Sequence, residues 1–170
     1  MQITLRLVRL GDRLLSILAG FLILVMFLYG GYSLWDTARI YGNAAVGEEL
    51  LKYKPTSETE GEHLSLQELA LINPDTWGWL TIPGTHIDYP VLQGNDDMEY
   101  INKDVFGEFS LSGSLFLSCR NSSDFSDGYS LIYGHHMDHG GMFGDVVEYT
   151  DASYFEKHME GWLYLADATY

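Results

Sequence analysis

Residues 14–35 read LLSILAGFLILVMFLYGGYSLW and carry no charged side chain. A helix needs ~20 predominantly apolar residues to cross the hydrocarbon core of a bilayer, so this run is long enough to span one. It is too long for the apolar region of a typical signal peptide, and no convincing small-x-small cleavage site follows it. The run therefore reads as an uncleaved signal anchor rather than a cleaved leader. Arg6, Arg9 and Arg13 stand just before it, and only Arg39 stands close behind. The positive-inside bias keeps residues 1–13 in the cytoplasm and places everything after the span outside the cell. The expectation is a single-pass protein of the cell membrane whose working domain is extracellular.

That outer part is acidic. The whole chain has a formal charge of −15, and setting aside the three N-terminal arginines and Asp12 leaves 6 basic against 23 acidic residues. Such a field repels nucleic acid and anionic lipid, which argues against both as its partners. It fits a neutral or cationic substrate, or simply colloidal solubility. The single cysteine, Cys119, cannot form an internal disulfide, so the exported domain must rest on a packed core. With 12 Tyr, 8 Phe and 4 Trp there is enough aromatic bulk to build one.

Residues 36–52 have helix-compatible spacing and no proline, and residues 53–63 (YKPTSETEGEH) read as a linker. Ser65 and Glu68 have the spacing of a capping box and open a short helix over 66–72, which Asn73-Pro74 ends. The texture then turns to β. Residues 77–82 and 87–92 predict two strands around a Pro83-Gly84 turn, and 114–118 and 129–133 predict two more. Residues 96–102 are ambiguous, at most one helical turn. Helical spacing returns over 142–149 and again over 151–158, and 162–166 predict a last strand with 168–170 starting its hairpin partner. Short strands with interspersed helical turns point to a β-barrel or sandwich with accessory helices.

The cluster Tyr133-Gly134-His135-His136-Met137-Asp138-His139 is the one concentration of acid/base side chains. Residues 129–133 are expected to be a buried strand, so His135 stands where the chain leaves the sheet, held by a rigid element yet open to substrate. A histidine there transfers protons near neutral pH or pairs with a thiolate. Two other readings exist: a solvated His-rich loop, and a zinc site on His136, Asp138 and His139. A catalytic zinc draws on ligands from elsewhere in the fold, and His63, His86 and His158 show no paired ligand spacing, so no metal is assigned.

Residues 73–94 (NPDTWGWLTIPGTHIDYPVLQG) resemble the opening strands of class B sortases. So do residues 113–117 (GSLFL) with Arg120 and Asn121, and residues 132–137 (IYGHHM) followed by Gly141-Met142-Phe143. The resemblance covers roughly residues 66–170 and also fits the N-terminal anchor. It implies a mainly β fold: a sortase-like β-barrel, incomplete here, with N-terminal helices and a transmembrane anchor helix. The chain then divides into a cytoplasmic N-terminus (1–13), a signal anchor (14–35), a helical stalk and linker (36–63) and a partial catalytic domain (64–170).

Class B sortases are membrane-anchored cysteine transpeptidases of Gram-positive bacteria. The resemblance implies a surface protein bearing a sorting signal as one partner, a peptidoglycan precursor amine as the other, and no cofactor. It makes His135 the catalytic histidine, and it sets Asp97 and Ile101 on the wall of the sorting-signal pocket, although the family often has Asn where Asp97 stands. The family's nucleophile lies in a Thr-Leu-Ser-Thr-Cys-like run followed by an arginine on the next strand, and neither run occurs in this sequence. Cys119 falls in a segment whose counterparts do not carry the nucleophile, so it reads as an incidental thiol. The expectation is a chain without transpeptidase activity on its own. The alternatives are a degenerate, membrane-tethered binding domain and a zinc-dependent hydrolase.

Overall fold

A computed structural model of the protein describes residues 2–44, 48–55 and 65–165, which fall into two units, 1–39 and 40–170. The expected hairpin partner at 168–170 and most of the 53–63 linker lie outside the described residues. The first unit is helical. Helix α1 (Gln2–Ala44) contains the one stretch among the described residues, Val8–Gly42, that is long and apolar enough to cross a membrane. Its apolar side chains are exposed along their length, Phe27 at 76% and Leu24 at 56% among them. At 1.5 Å per residue the uncharged run 14–35 extends ~33 Å, about the thickness of a hydrocarbon core. The helical stalk expected at 36–52 is the end of α1 followed by a short α2 (Glu48–Leu51).

In the second unit, α3 (Leu66–Ile72) starts as its sequence dictates. The Ser65 hydroxyl accepts from the Glu68 N–H at 3.2 Å, and the Glu68 carboxylate reaches back to the Ser65 N–H. Two of the free donors at the helix start are thereby satisfied. Asn73 closes the helix by donating its N–H to the Leu69 carbonyl. Leu66 and Leu69, three residues apart and so on one face, are both buried.

Five strands make one mixed sheet in the order β4-β3-β2-β1-β5, with β1 Thr76–Thr81, β2 Asp88–Leu92, β3 Leu115–Leu117, β4 Ile132–Tyr133 and β5 Trp162–Leu165. β1 pairs antiparallel with β2 and with β5; β3 pairs parallel with β2 and antiparallel with β4. Successive side chains along a strand point to opposite faces, and both faces here are covered. Trp79, Leu92 and Phe116 face α3, Tyr53, Tyr100 and Val105. Tyr89, Val91, Leu115 and Leu117 face Met142, with Ile132 and Phe143 packed around them. Trp79 is fully buried, and its indole N–H finds Asp88 Oδ1 at 2.8 Å, where Thr81 Oγ1 also donates.

Two elements differ from expectation. The buried strand expected over 129–133 shrinks to Ile132–Tyr133, and Tyr129 is exposed. Upstream of β4 the Leu131 carbonyl still accepts the Ser118 N–H at 2.8 Å, but other main-chain groups turn to a side chain: Asn121 donates to the Tyr129 carbonyl at 2.7 Å and accepts the Leu131 N–H at 3.0 Å. The helical spacing over 142–149 becomes the 3-10 helix Gly144–Thr150, with Val146 and Val147 exposed and Gly144 and Asp145 buried. Asp145 is drawn inward by two bonds from His86, one from its N–H (2.7 Å) and one from Nδ1 (2.9 Å). Helix α4 (Ala152–Lys157) follows after a break at Asp151, whose carboxylate caps it. Residues 96–102 are turns rather than a helix.

Candidate active site around His135

β4 ends at Tyr133, and the chain turns out of the sheet through Gly134 into His135. The turn is tightly packed: a Cβ there would lie 2.2 Å from Leu115 Cδ2 and 2.9 Å from the Phe143 ring, so a larger residue would have to displace those side chains. Residues 134–143 form an excursion closed at its base by the Phe143 N–H donating to the His135 carbonyl at 2.9 Å and by a bridge between His136 and Met142. Met142 is buried, and its N–H donates to the Tyr89 hydroxyl at 3.1 Å, tying the excursion to β2.

His135 is half-buried, and its Nε2 lies 2.8 Å from the main-chain carbonyl of Ile101. Ile101 is thereby brought to the candidate histidine through its backbone, while its side chain packs at the margin of the core. Its neighbour Tyr100 is 2% exposed and donates its hydroxyl to Asp75 at 2.7 Å; the Asn73 amide joins the same network and reaches the Val105 carbonyl at 2.8 Å. Burial, with the Asp75 bond second, pushes the Tyr100 phenol well above its ordinary value, so it stays a donor at any physiological pH. The residue that ends α3 thus also fixes the segment that meets His135.

Asp97 does not touch the histidine in these contacts; it holds the end of β3. Its carboxylate accepts the Cys119 N–H at 2.7 Å and the Ser118 hydroxyl at 3.1 Å. The Cys119 N–H holds the Asp97 carboxyl below the ordinary range, with Ser118 and Arg120 adding to the effect. The same carboxylate acts on the thiol in the opposite sense. Hydrogen bonding to Asp97 pushes the Cys119 pKa up, and the nearby Arg120 does not reverse it. Cys119 is exposed, but its setting disfavours the thiolate that nucleophilic chemistry requires.

His136, Asp138 and His139 leave the sheet side and line a cleft of about 510 Å³ together with His86, Asp145, Glu148 and Tyr154. Among the described residues no three His, Cys, Asp or Glu side chains are grouped to hold a metal ion. Two participants had no sequence signal of their own. His86 stood out only as an unpaired histidine, and its partner Asp145 lay in a stretch whose spacing read as helical.

No family model matches the chain. Individual proteins do. Sortase B of Listeria monocytogenes is 39% identical over 104 residues, which is 61% of this chain and 42% of that protein. Sortase B of Staphylococcus aureus is 31% identical over 150 residues, 86% of this chain and 61% of that protein. Among solved structures, a Streptococcus pyogenes class B sortase involved in pilus biogenesis aligns with 49% identity and a TM-score of 0.59 over 61% of this chain and 57% of its own. Over the stretch it shares with them, the chain is similar to class B sortases. It spans roughly half the length of the curated relatives it matches. The mixed sheet and the N-terminal apolar helix agree with the sortase-like fold read from the sequence. In the frame of the sortase family, the excursion after β4 and the turn at 96–102 are the parts that meet at His135.

Proposed function

We propose that this chain supplies the histidine side of a cysteine transpeptidase site, one that cleaves the C-terminal sorting signal of a surface protein and joins the product to a peptidoglycan amine. The observation that carries this reading is His135, half-buried at the mouth of β4, with Nε2 engaged by the Ile101 carbonyl and no hydrogen bond to Nδ1 among the described residues. In the reaction a thiolate attacks the Thr carbonyl carbon of the signal. As the scissile C–N bond breaks, His135 gives its proton to the leaving amine, and a thioester remains. An incoming amine then attacks the thioester, His135 takes a proton from it, and the thiolate departs. Asp97 and Ile101 wall the pocket for the signal in this reading, and an arginine would stabilise the developing oxyanion. Residues 14–35 anchor the protein in the membrane, with the N-terminus cytoplasmic and the catalytic domain outside.

Cys119 is not the nucleophile in this proposal, because Asp97 holds its thiol protonated. The 170 residues alone are therefore expected to leave an Asn-Pro-x-Thr peptide uncut. The test is a chimera joining this chain to the Cys- and Arg-bearing C-terminal region of Staphylococcus aureus Sortase B. Cleavage of the peptide that is lost on His135→Ala supports the proposal. A folded, inactive chimera sinks it in favour of a non-catalytic domain that binds sorting signals. Cleavage by the unmodified chain that is lost on Cys119→Ala would overturn the assignment of the thiol.

A further inference from the structure

We propose that the main-chain carbonyl of Ile101, seated by the missing side chain of Gly113, decides which ring nitrogen of His135 carries the hydrogen. Nδ1 is then the nitrogen that trades protons, and Gly113 is a positioning residue acting through Ile101. The proposal rests on His135 being the acid/base group, and it adds how that group is set.

A neutral imidazole donates from one nitrogen and accepts at the other, and a backbone carbonyl only accepts. At 2.8 Å from the Ile101 oxygen, Nε2 must be the donor. The carbonyl thus specifies the tautomer in the way that a ring nitrogen's partner generally does.

What keeps the carbonyl there is a close approach of two main-chain segments. Gly113 sits at φ +60°, and a Cβ on it would lie 2.3 Å from the Ile101 oxygen, 2.6 Å from the Tyr100 oxygen and 2.8 Å from the Ile101 carbonyl carbon. All three are backbone atoms, so no rotamer change relieves the overlap. The segment cannot drift freely either. The Ser114 N–H donates to the Tyr100 carbonyl at 3.1 Å, the Ser110 N–H donates to the Asn102 carbonyl at 3.1 Å, and the Tyr100 hydroxyl is held by Asp75. A side chain at 113 forces these two main-chain segments apart, and in the proposal this takes the Ile101 carbonyl off the His135 ring. Gly107 offers a matched contrast: it also has positive φ (+84°), yet a Cβ there meets nothing within 4 Å. Substitution at either position strains the backbone, but only the one at 113 reaches the histidine.

The experiment is ring ¹⁵N–¹H correlation spectroscopy of the His135 imidazole in the full chain in detergent micelles. In the wild type above the ring's titration, a hydrogen on Nε2 and an unprotonated Nδ1 are expected. Gly113→Ala is expected to move both ring nitrogens toward the average of the two tautomers, and Gly107→Ala to leave them in place. A wild-type ring with its hydrogen on Nδ1 overturns the proposal, and so does a folded Gly113→Ala with unchanged ring shifts. If Gly113→Ala does not fold, replacing Asn102 by its α-hydroxy analogue turns the Ile101 carbonyl into an ester, a weaker acceptor of the same shape. The same shift toward the average is then expected, and unchanged ring shifts overturn the proposal. The readout needs no turnover, so an inactive chimera with the proposed tautomer would count against the function and not against this assignment.

Discussion

A carboxylate that accepts a main-chain N–H also sets the chemistry of whatever else it touches, and Asp97 does this for Cys119. Replacing Asp97 with Asn removes the carboxylate charge that raises the thiol pKa and leaves only a weaker amide acceptor beside it. Alkylation of Cys119 by iodoacetamide near pH 8 is expected to speed up several-fold, followed by mass spectrometry; an unchanged rate would separate the two residues. The carboxyl itself is depressed in the folded chain. Its contribution to stability is therefore complete above the ordinary carboxylate range and fades as pH falls through its lowered value. At this scale the sequence pointed to His135 by its place in the histidine cluster and by the resemblance of residues 132–137 to class B sortases. Ile101 was read as part of a pocket wall, while its contact with His135 is through a backbone oxygen common to every residue type. Gly113 entered the reading only as the first residue of the resembling stretch 113–117, because the close approach that excludes a side chain there comes from residues 100 and 101, a dozen positions upstream.

Elements were read best where local chemistry decides them. The capping box at Ser65 gave α3, and the short apolar runs bounded by turn residues gave the first three strands, each close to its observed bounds. Removing the cap with Ser65→Ala is expected to destabilise the second unit by about 1 kcal/mol, read from urea denaturation. The same loss from Leu71→Ala would contradict this account, since Leu71 is 84% exposed. Reading failed where a distant side chain took over. Asn121 pairs with the backbone ahead of β4, and His86 turns Asp145 inward so that the valines of the 3-10 helix face out. Neither interaction leaves a periodic trace along the chain.

For the molecule as a whole, the orientation proposed from the uncharged run and the arginines ahead of it is one that a single residue can report. Cys119 is the only cysteine in the sequence, and it is exposed. A membrane-impermeant maleimide is expected to label it on intact cells expressing the full chain. Labelling seen only after permeabilisation would reverse the proposed orientation. The fold class was legible from the short strands and their spacing, and the sheet order was not. Which strand lies beside β1 depends on pairings far apart in the chain.

The flanking of β1 by β2 and β5 gives the protein a clock. β1 and β2 meet across a short turn and can zip as soon as both exist, but the other edge of β1 waits for Trp162, roughly eighty residues after its partner Thr81. At ~5–20 residues per second, synthesis leaves that edge unpaired for ~4–16 s. During that interval the nascent chain offers an open strand edge to any extended peptide nearby.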